Sequence, residues 1–165
     1  MANITEFANQ FGQGVRPTLF RVEGHVADVR LEFFIKSAQL PASNIGTIEV
    51  PYKGRKIKRP GDRTFAEWSI TVLASDDLPI RKLFEQWMNE LNDHVEIKST
   101  TLLDKMWTVV AMKADGEDHG TPYTFHNVFP TEVGAVDLNY ETVDTIAEFT
   151  VTLQYDYWSG GAGDI

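Results

Sequence analysis

The sequence contains no cysteine, which removes disulfide staples, thiolate metal sites and cysteine nucleophiles from consideration. No stretch approaches the roughly 18 apolar residues of a membrane-spanning helix, so no membrane anchor is expected. The opening MANITEFANQF lacks the basic start and apolar run of a secretory signal. Cations are missing from the final third: from Ala114 onward there is no Lys or Arg, while ten acids fall between Asp115 and Asp164. Phosphate-binding loops, dinucleotide glycine fingerprints and nucleophile elbows are also missing. Gly12 and Gly14 lead into a predicted strand, not from a strand into a helix, and read as a joint. The expectation is a protein that is not an enzyme and needs no cofactor.

Positive charge is concentrated instead. Residues 53 to 63 hold Lys53, Arg55, Lys56, Lys58, Arg59 and Arg63 against the single acid Asp62, a local sum of +5. The whole chain carries −9, so everything outside this run sums to −14. A nucleic acid is one conceivable partner for such a run. Phosphates would nevertheless be repelled over most of the remaining surface. A second copy of the same chain, offering its negative surface, is the alternative.

The 165 residues suit one domain with its own core. Short alternating segments dominate and predict strands at 18–26, 29–41, 47–58 (broken at Gly54), 67–75, 105–113, 123–129 and 148–158. In 148–158, Phe149, Val151, Leu153, Tyr155 and Tyr157 oppose Thr150, Thr152, Gln154 and Asp156. The turn-rich ADGEDHGTP (114–122) predicts a hairpin joint. One substantial helix is expected near 77–92, where Ile80, Leu83, Phe84, Trp87, Met88 and Leu91 form a stripe. Asp76 or Asp77 could cap it, and Pro79 suits its first turn. A shorter helix is expected at 4–11. The predicted fold is mainly β, a barrel-like sandwich of antiparallel strands with one flanking amphipathic helix.

The four histidines, His25, His94, His119 and His126, form no zinc or calcium pattern. His119 lies among Asp115, Glu117 and Asp118, which reads as a solvated acidic tip. Trp68, Trp87, Trp107 and Trp158 sit in regular elements with apolar neighbours and read as packing residues, not as a stacking platform.

The run GRKIKRPGDRTFAEW (54–68) resembles the tail tube proteins of contractile-tailed bacteriophages. The matching positions are Gly54, Arg55, Lys56, Ile57, Gly61, Asp62, Arg63, Thr64, Phe65 and Trp68. RPTLFRV (16–22), LPA (40–42), FPTEVGAVDL (129–138) and EFTVTLQYDYW (148–158) match the family in the same order. The resemblance implies a structural subunit whose hexameric rings stack head to tail into a hollow tube inside a contractile sheath. Contraction would drive the tube through the host envelope and DNA would pass along its lumen. Related tubes serve bacteriocins, extracellular injection systems and type VI secretion. The implied partners are further copies, the sheath, a baseplate initiator, a tape-measure protein and DNA in transit. The implied location is the virion tail, assembled in the host cytoplasm.

Under this reading residues 1–15 form an N-terminal arm, 16–158 a single tube domain and 159–165 a flexible tail. Residues 47–63 are expected to be a hairpin-like arm reaching a neighbouring subunit or ring. Its contacts would come from Ile48, Val50, Tyr52 and Ile57, with Lys53, Arg55, Lys56, Lys58, Arg59 and Arg63 supplying steering and register. Reversing Lys56 and Lys58 to Glu is expected to stop tube growth. Asp137, Glu141 and Asp156, assigned to polar faces of barrel strands, are expected to face the lumen and repel DNA from its wall. A β-sandwich that binds nucleic acid through 53–63 is the competing reading.

Overall fold

The computed structural model describes residues 3–12, 15–26, 29–93, 106–111 and 122–160. His94, His119 and the predicted joint at 114–122 fall outside these, apart from Pro122, as do residues 161–165 of the expected tail.

The N-terminal helix α1 (Ile4–Phe11) begins at Asn3, whose side-chain oxygen accepts from the Thr5 N–H at 3.5 Å. It ends at Gly12, where φ is +59°, a conformation glycine adopts without a Cβ penalty. Ile4, Phe7 and Phe11 share one face, and the two phenyl rings stack at 5.4 Å. None of the helix is buried.

Two four-stranded antiparallel sheets follow. One has the order β1-β8-β9-β12, built from β1 (Phe20–Glu23), β8 (Trp107–Ala111), β9 (Tyr123–His126) and β12 (Tyr157–Ser159). The other has the order β10-β11-β7-β4, built from β10 (Phe129–Val133), β11 (Glu148–Gln154), β7 (Trp68–Leu73) and β4 (Ile35–Ser37). A small pair joins β2 (His25–Val26) to β3 (Val29–Arg30), and among the described residues β5 (Asn44–Tyr52) pairs only with β6 (Arg55–Thr64). The alternation that predicted the strands is the alternation of burial. In β7, Trp68, Ile70 and Val72 are buried, and in β11, Phe149, Val151 and Leu153.

The sheets face each other across an aromatic core. Trp68 of β7 stacks on Phe125 of β9 at 4.3 Å and meets Trp107 of β8 edge-on at 6.1 Å. Helix α2 (Pro79–Leu91) closes this core with Ile80, Phe84 and Trp87, the last two lying 6.2 and 6.3 Å from the Trp107 ring. Its Arg81 donates to the Gly134 carbonyl at 2.6 Å and tethers the helix to the end of β10. Trp68, Trp87 and Trp107 are thus core residues and Trp158 packs at the core's margin.

Several expectations need correction. The strand expected over 29–41 breaks into β3 and β4 around a turn at 32–34, in which the Phe34 N–H donates to Leu31 O at 2.9 Å. Phe33 therefore points to solvent while Leu31 is buried. The strand expected over 148–158 divides at Asp156, whose N–H donates to His126 O at 3.1 Å. There the chain leaves one sheet for the other, a corner that closes the sandwich. Pairing continues to Ser159, one residue past the Trp158 boundary. Neither Asp76 nor Asp77 caps α2: the cap is Leu78, in the left-handed region and with no side-chain hydrogen bond. Pro79 does occupy the first turn, where its missing N–H costs nothing.

Candidate functional site

The hairpin β5–β6 is the feature that the core does not explain. Its strands have nine and ten residues, so it extends about 30 Å. Every residue in it is exposed except Gly61, which is half-buried. A two-residue turn, Lys53-Gly54, closes it with both φ values positive (45° and 80°), the type I′ geometry whose twist suits paired strands. At its base, Gly46 and Gly61 approach so closely that a Cβ on Gly61 would lie 3.2 Å from the Gly46 carbonyl oxygen. The strand register shifts there, between Ile45 and Thr47.

The register sorts the expected contact residues into two faces. Directly opposed residues of an antiparallel pair point the same way. The pairs Ile48–Arg59, Val50–Ile57 and Tyr52–Arg55 form one face. Thr47–Pro60, Glu49–Lys58 and Pro51–Lys56 form the other. The first is an apolar strip flanked by two arginines, neither of which is in an ion pair among the described residues. On the second, Lys56 bonds Glu49 at 2.6 Å and Lys58 stands opposite the same acid. Lys53 lies at the tip with its ammonium 5.4 Å from the Tyr52 ring, and Arg63 opposes Ile45 at the base, beyond the register shift.

Two further surfaces are unsatisfied. The outer strands of both sheets, β1, β12, β10 and β4, have a strand partner on one side only among the described residues. Pro130 sits in β10, where an edge tolerates its missing donor. The connection 134–147 between β10 and β11 exposes Leu138, Tyr140, Val143 and Ile146. Sequence reasoning missed these four as surface residues, although the alternation of Leu138 and Tyr140 with Asp137 and Glu141 was visible.

The three acids expected on barrel strands lie elsewhere. Asp137 and Glu141 belong to the 134–147 connection, which contains turns and no strand. Asp156 occupies the corner between β11 and β12 and accepts from the Asn127 side-chain amide at 2.5 Å. An alternating sequence makes a strand only where a neighbour supplies a ladder of hydrogen bonds, and among the described residues 135–146 pairs with no strand. His126 stacks on Tyr157 at 4.3 Å and bonds the Ser159 hydroxyl at 2.7 Å, and His25 is exposed.

Comparison with known proteins shows what this chain is similar to. The tail tube protein gp19 of Enterobacteria phage T6 is 29% identical over 154 residues, covering 92% of this chain and 94% of the relative. The gp19 protein of Enterobacteria phage T4 is 29% identical over 160 residues with the same coverage. A chain from the cryo-EM structure of the PVC sheath/tube terminator, an extracellular contractile injection system, superposes with a TM-score of 0.70 at 19% identity. That match covers 90% of this chain and 96% of the other, and it extends the likeness of fold beyond phages. The family model described as phage tail tube protein matches residues 2–160, and the chain belongs to that family.

Proposed function

We propose that this tail tube protein forms hexameric rings that stack into a hollow tube within a contractile sheath. The observation that carries the proposal is the free hairpin. An isolated two-stranded hairpin is marginal in water and needs further strands or a packed surface to be stable. This one is about 30 Å long and exposes Ile48, Val50, Tyr52 and Ile57 on one face. A second subunit supplies what the chain lacks. Pairing β1, β12, β10 or β4 with a neighbour's strand would close a ring and remove open edges. The arm, as residues 44–64, would then bind between rings.

The tube's partners are its own copies, a sheath around it, a baseplate initiator below it and a tape-measure protein within. DNA crosses the lumen without specific binding, on the route from virion tail to host, after assembly in the host cytoplasm. A chain of net charge −9 suits a bore through which a polyanion slides. Asp156, at the corner between the sheets, is the acid retained for that wall. The alternative, a tube that conveys effectors in a bacteriocin, extracellular injection system or type VI secretion machine, shares the assembly. Genes for capsid or for effectors beside this one separate the two.

Analytical ultracentrifugation with a parallel DNA gel shift tests the proposal. Self-association with concentration, and no DNA retardation by the monomer, is expected. A monomer that never associates and shifts DNA in a salt-sensitive way would identify a nucleic-acid-binding sandwich instead.

A further inference from the structure

The hairpin and the exposed 135–147 segment leave opposite ends of one sheet. Strand β7 runs from Trp68, just after the hairpin, to Leu73. Strand β11 pairs Leu153 with Trp68 and Glu148 with Leu73, so the chain that enters Glu148 lies at the far end. The hydrogen bond from Ala74 N to Ala147 O at 2.8 Å fastens the segment there. Six residues of strand separate the two features, about 20 Å.

Their surfaces are complementary. The hairpin face offers Ile48, Val50, Tyr52 and Ile57 between Arg55 and Arg59. The segment offers Leu138, Tyr140, Val143 and Ile146, of which Ile146 is the least exposed at 66%. Its charges are Asp137, Glu141 and Asp144, with no cation, and no ion pair holds any of them among the described residues. Asp76 and Asp77, exposed in the turn after β7, add to the acidic end. The segment is folded as turns, with Asn139 Oδ1 accepting from the Glu141 N–H at 2.9 Å, so it presents side chains and not a strand edge.

We propose that segment 135–147 is the seat for the arginine-flanked face of the hairpin of a second copy. The inference rests on the reading of the hairpin as an assembly arm. It moves Asp137 and Glu141 from the lumen to the junction between subunits. Because the two surfaces differ and lie at opposite ends, each copy takes one hairpin and offers another. Such a heterologous contact does not close along its axis and builds a filament. Four apolar residues on each side supply the buried contact, and the opposed charges select orientation.

Cross-linking tests the assignment, in a chain with no native cysteine to interfere. The double variant Val50→Cys/Leu138→Cys, oxidised and run on a non-reducing gel, should give a ladder of oligomers. Each single variant should remain monomeric, and a mixture of the two should stop at the dimer. Adding Arg55→Glu and Arg59→Glu should lower cross-linked yield about tenfold, and adding Asp137→Arg and Glu141→Arg as well should restore it. Thermal melts of each variant establish that it is folded. A ladder no stronger than that of Val50→Cys/Thr152→Cys, with its second cysteine on the polar sheet face, would overturn the seat. If Val50→Cys then cross-linked elsewhere, the arm reading would stand without this seat. If folded Arg55→Glu/Arg59→Glu protein associated like the wild type, the arm reading itself would fall.

Discussion

Lys56 reaches across the hairpin to Glu49, with Nζ 2.6 Å from Oε2, and so turns away from the face that carries Ile48, Val50 and Tyr52. The basic run is therefore two populations. Lys56 and Lys58 share a face with an acid of the same hairpin, whereas Arg55 and Arg59 flank the apolar strip.

This division changes the expected outcome of charge reversal. Arg55→Glu/Arg59→Glu should lower ring stacking about tenfold while leaving the thermal melt unchanged. Lys56→Glu/Lys58→Glu should weaken it only modestly, since exposed pairs of this kind contribute about 0–1 kcal/mol. Comparing the assembly midpoints of both variants by light scattering checks the order. Equal effects would return the lysines to the interface. Raised salt should delay wild-type assembly in the same assay, because exposed charges are screened.

Gly24 lies against the Trp107 ring so closely that an added Cβ would sit 2.5 Å from Cδ2. Trp107 is fully buried and its indole N–H has no hydrogen-bond partner among the described residues, so the ring is held by packing against Trp68, Phe84 and Trp87. Gly24→Ala should cost about 1–3 kcal/mol, the usual penalty of overpacking. A lowered Tm in calorimetry is the readout, and an unchanged one would mean that the tryptophan yields freely.

Burial pushes the Tyr155 phenol up from its ordinary value of 10.0. The folded state therefore holds its proton more firmly than the unfolded chain. Its contribution to stability is fully present below pH 10 and is lost as pH rises through the folded value. Urea unfolding of the wild type should weaken above pH 10, and Tyr155→Phe should flatten part of that decline. A variant with an identical alkaline profile would remove Tyr155 as its source.

Helix α1 contributes no buried residue. Deleting residues 1–12 should leave subunit stability within about 0.5 kcal/mol, as for surface changes generally. Chemical denaturation measures this directly. A loss of several times that size would mean that Phe7 and Phe11 pack on the domain.

How legible these features were depended on whether the pattern was local. The α2 stripe and the β7 and β11 alternations could be read because burial there follows the helical or strand period. The hairpin's position was legible from the break at Gly54, but its two faces required the register, which begins with Tyr52 opposite Arg55. In 134–147 the same period misled. Asp137 and Glu141 alternate with Leu138 and Tyr140 as in a strand, yet no strand among the described residues pairs with them. The crossing at Asp156 was hidden for a related reason: an unbroken alternation from Phe149 to Tyr157 carries no sign that its end joins another sheet.

Negative-stain electron microscopy of the purified protein, over a concentration series at low and high salt, tests the central claim most directly. The account predicts hollow rings or striated tubes of uniform width, favoured by low salt and about tenfold fewer for Arg55→Glu/Arg59→Glu. Particles of single-chain size at every concentration would contradict it.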